Sequence, residues 1–180
     1  MVRKVIVAGF VGWVVLAVWT FIVNGLLGFR SRIDMNQIAN ERLVYQTLRD
    51  NIIEPGKYAC NPELTESRFP ENEPVYSIMY SGLGHEAAGR ESLVQMVNGL
   101  VMVMIATWML ATAGEPSRRS YARRVLFFTV IGLFVAASSH ITEYGIGGYP
   151  LGDSVALAAN EIVQWTVVGL FVAWRLKPES

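Results

Sequence analysis

One cysteine, two histidines and a formal net charge of zero leave this 180-residue chain poor in the groups most site chemistry draws on. A lone Cys60 excludes an intrachain disulfide, and it reads as a small, partly buried thiol, with an intermolecular disulfide as its other use. It does not follow a leader-like apolar run, so lipidation is not expected. His85 and His140 are too few for a transition-metal or haem centre without added carboxylates, and the expectation is no metal and no cofactor. Balanced charge without a basic, aromatic-interleaved stripe gives nucleic-acid binding no support. There is no phosphate-cradling P-loop, no G-x-S-x-G elbow and no H-E-x-x-H pair. Cys60 and His85 make no convincing nucleophile and base, so no catalytic residues are assigned. Gly145–Gly148 is glycine-rich but needs only to turn a corner, and no internal repeat or low-complexity tract stands out.

Apolar length is what the chain has in quantity. Hydrophobic residues make up 52% of it and charged residues 17%, with a mean hydropathy of +0.34. Four apolar stretches run Val5–Gly28, Leu93–Ala113, Val125–Ser139 and Val155–Trp174. Each approaches the ~20 residues a helix needs to cross ~30 Å of hydrocarbon. The expected fold class is therefore an all-α membrane protein: a four-transmembrane-helix bundle with a small extracytoplasmic helix-plus-hairpin insert between spans 1 and 2. Residues 1–28 form the N-terminal span, 29–92 the insert, and 93–180 a three-helix region with an Arg-rich loop at 114–124. The first stretch reads as a signal anchor, because it is longer than a usual signal core and lacks an A-x-A-like site near Asn24–Gly28.

Charge sets the threading. Arg3 and Lys4 precede the first stretch, Arg118, Arg119, Arg123 and Arg124 sit between the second and third, and Arg175 and Lys177 follow the fourth. The 29–92 segment carries seven basic and ten acidic residues, and the 141–152 loop carries only Glu143. Arg- and Lys-rich loops stay cytoplasmic, which puts both termini inside.

Within the insert, Asp34 and Asn36 are candidate N-caps for a helix running to about Asn51, with Ile38, Leu43, Val44, Leu48 and Ile52 on one face. Glu54-Pro55-Gly56 then turns the chain. Lys57–Asn61 and Val75–Ser81 favour strands. Glu63–Pro74 reads as a loop, and Gly82 and Gly84 as breaks before the second span.

Polar residues inside the spans are the candidate site. Asn160, Glu161 and Gln164 share about a third of the fourth helix's surface. A carboxylate at Glu161's depth should face protein or water rather than lipid. His140 and Glu143, one turn apart at the end of the third span, are its nearest candidate company, with His140 as an interfacial hydrogen-bond partner. With Asn24 and Asn98 added, every span contributes a polar residue to one level, which could form a shared intramembrane pocket or scatter over separate helix contacts. Ala8-x-x-x-Gly12 and Gly132-x-x-x-Ala136 permit close helix approach.

Asn51-Ile-Ile-Glu-Pro-Gly-Lys-Tyr58, Asn98 with Trp108, Ser120-Tyr-Ala-Arg-Arg-Val-Leu-Phe127, Gly132-Leu-Phe134 and the tail from Leu151-Gly-Asp through Asn160-Glu, Trp165 and Trp174 give the chain a likeness over most of its length. It resembles a group of short, four-span bacterial inner-membrane proteins of unknown function. That resemblance implies a multi-pass protein of the bacterial inner membrane and carries no activity with it. The functional expectation is an integral membrane interaction module, an accessory subunit of a larger complex or a homo-oligomer, whose partners are the bilayer and other membrane subunits or itself. The alternative is a proton-coupled small-solute transporter or ligand-binding bundle centred on Glu161.

Overall fold

The computed structural model describes residues 2–61, 63, 72–144 and 149–176, apart from the side chains of His85, Ala87 and Glu143. The Gly145–Gly148 loop, Lys177 and most of the expected 63–74 loop therefore lie outside the described residues. Among the described residues, four helices are long and apolar enough to cross a membrane: Val2–Leu26, Ala88–Thr112, Tyr121–Ile141 and Leu151–Arg175. The chain divides into two units, residues 1–35 with 93–180, and residues 36–92.

The first unit holds three spans whole and the Ala88–Thr112 span from Leu93 onward. Helix α1 (Val2–Thr20) continues into a π-helical turn at Phe21–Leu26, and a short α2 (Phe29–Asp34) follows. Helix α4 covers Gly84–Thr112, α5 covers Glu115–Arg118, α6 covers Tyr121–Ala136, and α7 covers Leu151–Arg175. Helix α6 also ends in a π-helical turn, Ala137–Ile141, followed by a 3₁₀ turn at Thr142–Tyr144. Neither π turn is visible in the residue pattern.

Packing among the spans is set by small residues. A Cβ on Gly12 of α1 would lie 2.6 Å from Val172 and 2.9 Å from Val103, so α1 touches α7 and α4 at the same level. Gly9 sits directly against Met104. Between α6 and α7, a Cβ on Gly132 would come 2.7 Å from Trp165 Cβ, and one on Gly169 2.6 Å from Phe128 Cβ. Ala8 and Ala136, the other halves of the two small-residue pairs, are almost wholly buried. Because lipid tails are as apolar as leucine, close backbone approach and dispersion hold such helices together. One core cluster results, with Val103, Ala106 and Leu110 of α4, Ala8 of α1, Phe128 of α6 and Trp165, Val168 and Val172 of α7. Phe128 and Trp165 stack there with ring centroids 6.3 Å apart.

The arginines do more than mark one end. Arg124 is buried at 5% exposure. Its Nε donates to Ala173 O at 3.1 Å and its Nη1 to Arg118 O at 2.7 Å. Arg118 donates to Ala111 O at 3.2 Å, and the Tyr121 hydroxyl to Leu170 O at 3.0 Å. Thus the Ala111 carbonyl at the end of α4 and the Ala173 carbonyl at the end of α7, left without partners by helix geometry, are taken up by Arg118 and Arg124. Sequence reading put Arg123 and Arg124 in a loop; instead α6 starts at Tyr121, with the Ser120 hydroxyl accepting from Arg123 N at 3.3 Å. Serine is a favoured N-cap, which is why the helix begins there.

The second unit contains α3 (Glu41–Asn51) and an antiparallel hairpin of β1 (Gly56–Cys60) and β2 (Tyr76–Tyr80). The helix begins at Glu41 rather than after Asp34 or Asn36. Asn40, at φ +60°, stands immediately before it, while Asp34 closes α2 and is held by Arg30 at 3.0 Å. Asparagine tolerates that left-handed conformation better than most residues. The strand stops at Tyr80, ahead of Gly82 at φ +99°, and Gly84 opens α4; good helix formers from Glu86 to Glu91 carry the helix past Gly89. The hairpin pairs Tyr58 with Ile78, and Asn61 Nδ2 closes it by donating to Pro74 O at 2.9 Å.

Candidate functional site

Helix α7 is the element on which the polar residues gather, with α1 and α6 against it. Glu161 stands ten residues into α7, ~15 Å along its axis from Leu151. Its Oε1 accepts from Trp165 Nε1 at 2.8 Å. Its Oε2 lies 3.9 Å from His140 Nε2, with side-chain exposures of 20% for Glu161 and 15% for His140. The second oxygen is thus beyond direct hydrogen-bond length from the imidazole, but within ion-pair reach when the histidine is protonated.

The π turn explains how His140 arrives there. Gly132 and Ala136 face α7, and in an unbroken α-helix Ser139 would come next on that line. A π turn adds about one residue to the turn, or ~100° of rotation, and moves His140 into that place. Hydroxyls compensate the disturbed backbone: Ser139 donates to Val135 O at 2.7 Å and Thr142 to Ser138 O at 2.9 Å. Serine and threonine re-satisfy loosened carbonyls in this way inside membranes.

Asn160, one residue from Glu161, accepts from Trp19 Nε1 of α1 at 3.2 Å through Oδ1. One turn beyond Glu161, Gln164 is half-buried. Farther toward the arginine end, the Thr129 and Thr166 hydroxyls meet at 3.0 Å across α6 and α7. On α1's other side, Trp13 Nε1 donates to Met96 O of α4 at 3.1 Å. The structure therefore brings His140 and Glu161 together and joins Asn160 to α1.

Asn98 takes a different course. It is exposed on α4, and among the described residues its Nδ2 donates only to the sulfur of Met102 on its own helix, at 3.6 Å. Asn24 is half-buried within the first π turn. The side chain of Glu143 lies outside the description, and so does that of His85. Ser154, which sequence reading passed over, is fully buried, and its Oγ has no hydrogen bond among the described residues. Its spacing from Ala158, Glu161 and Trp165 on one face of α7 was the signal for it. Among the described residues no group of three His, Cys, Asp or Glu side chains is placed to hold a metal.

No known family model, curated protein or solved structure matches this chain. Chemistry must therefore be read from the site alone. A carboxylate held by an indole and facing an imidazole can bind two helices to each other or hold one exchangeable proton between Glu161 and His140.

Proposed function

We propose that this protein is an integral membrane interaction module, an accessory subunit of a larger membrane complex or a homo-oligomer. The observation that carries this reading is the contrast between the two kinds of polar residue in the spans. Trp13, Trp19, Thr129 and Thr166 all tie one span to another, and Glu161 faces His140 across α6 and α7. Asn98, by contrast, points outward from α4, and among the described residues its one hydrogen bond is to Met102 of its own helix. Polar groups used inward serve the fold, and one turned outward serves an encounter. The threading that goes with this reading puts the arginine end and both termini in the cytoplasm of a bacterial cell and the 36–92 unit outside the inner membrane.

The His140–Glu161 pair favours a second reading, a proton-coupled transporter or ligand-binding bundle. One substitution separates them. Glu161→Gln keeps an acceptor for Trp165 and removes the exchangeable proton. As an interaction module, the variant should retain its assembly and its cellular role. If assembly survives while a proton-dependent flux through reconstituted vesicles is abolished, the transport reading replaces it.

A further inference from the structure

Helix α4 carries a stripe that no other described part of the chain covers. Val94, Asn98, Val101, Ile105, Trp108 and Thr112 follow one another at spacings of four, three, four, three and four. All six are exposed, with Val94 at 61%, Val101 at 48%, Ile105 at 51% and Trp108 at 57%. On a helical wheel the stripe lies opposite the buried face of Val103, Ala106 and Leu110. Alternate positions repeat every seven residues (Val94, Val101 and Trp108; Asn98, Ile105 and Thr112), the repeat of a left-handed coiled-coil seam. The seam residues are mostly β-branched, and Asn98 occupies one of its a-type positions.

An apolar lipid-facing surface alone would call for nothing but lipid. Asn98 changes that. It stands five residues, ~7.5 Å, inside the Leu93 end of the apolar stretch Leu93–Ala113. On that apolar face its carboxamide finds few partners, and a thioether on its own helix is a weak acceptor. A carboxamide carries both donors and an acceptor, so the group that complements it best is another carboxamide. Copies of one chain insert into a membrane in one orientation. Two α4 helices meeting about an axis along the membrane normal are therefore parallel, and each stripe residue faces its own counterpart. We infer that α4 is a self-association surface: two copies pack in parallel along this stripe, with the Asn98 side chains hydrogen-bonded to each other across the axis. A single Asn in such a seam specifies register and stoichiometry. The inference rests on the interaction-module reading and names its partner as a second copy.

The test uses the full chain in native membranes, in a Cys60→Ser background that removes the only cysteine. Single cysteines are placed on the stripe (Val94→Cys, Val101→Cys, Ile105→Cys) and at equally lipid-facing sites on other spans (Val18→Cys, Phe134→Cys). Oxidative cross-linking should be strong along the stripe and weak at Val18 and Phe134. Dimers linked through Val18 or Phe134 with a silent stripe would overturn the inference while leaving the interaction module standing. So would a heterologous subunit that copurifies with a chain showing no self-linking. A monomer with neither self-links nor a copurifying subunit would overturn both. Independently, resonance energy transfer between labelled copies in vesicles should show the dimer dissociation constant rising roughly tenfold in Asn98→Leu, with Asn98→Gln close to the parent. Replacing an outward-facing side chain leaves the bundle's own contacts intact, so an unchanged constant in Asn98→Leu removes Asn98 from the interface.

Discussion

Replacing Gly132 measures how closely α6 and α7 are held. A Cβ at this position would stand 2.7 Å from Trp165 Cβ and 3.2 Å from the Ile162 Cα. Carbon atoms in ordinary contact sit ~3.5–4.0 Å apart, so Gly132→Ala demands that the two helices part by about 1 Å. Neither obstructing atom can swing aside, since one is backbone and the other is fixed to it. Overpacking of this kind destabilises by about 1–3 kcal/mol, while alanine in place of glycine in a helix returns up to ~1 kcal/mol. Gly99→Ala supplies the comparison, because its Cβ would meet Leu16 Cδ2 at 3.0 Å, a terminal methyl that can rotate away. Gly99→Ala should be neutral or slightly stabilising, and the difference between the two variants, about 1–3 kcal/mol, isolates the steric term at Gly132. Reversible unfolding in bicelles, followed by tryptophan fluorescence, gives both values. Equal effects at the two glycines would refute the close-packing account of α6 and α7.

Other substitutions test separate contacts. Arg124→Ala leaves the Ala173 and Arg118 carbonyls without their donors and should destabilise by about 2–3 kcal/mol in the same assay, whereas Arg119→Ala, on an exposed residue, should change little. A double-mutant cycle on Trp19→Phe and Asn160→Ala should give a coupling of about 0.5–1.5 kcal/mol, and no coupling would remove that hydrogen bond from the account. At Asn40, with φ +60°, Asn40→Gly should be tolerated while Asn40→Val weakens the start of α3 by about 1–2 kcal/mol, read as faster amide exchange over Glu41–Val44.

What the residues reveal on their own is uneven, for a physical reason. Span length is legible because the bilayer sets it, and all four stretches correspond to helices long and apolar enough to cross. The Tyr58–Ile78 hairpin is also legible, since β-branched and aromatic content marks its strands. The buried face of a span is not. A helix that is apolar all round presents the same pattern to lipid and to protein, so nothing in the order of residues tells that Asn98 points outward and Glu161 inward. The small-residue pairs around Gly12 and Gly132 are an exception, because backbone approach admits only small side chains. The two π turns leave no signature in hydropathy; serine and threonine hydroxyls support the one that carries His140. The roles of Arg118 and Arg124 were hidden in a different way. Charge bias explains their presence at one end, and only geometry reveals that they cap the C-termini of α4 and α7.

The function proposed for this protein is assembly with other membrane chains. Its most direct test is a mild-detergent or nanodisc pull-down of the tagged full chain at its native expression level, with mass determination of the intact complex. A defined stoichiometric assembly is expected, either a uniform homo-oligomer or a fixed ratio with a larger subunit. A chain recovered as a monomer under conditions that preserve known membrane complexes would contradict it.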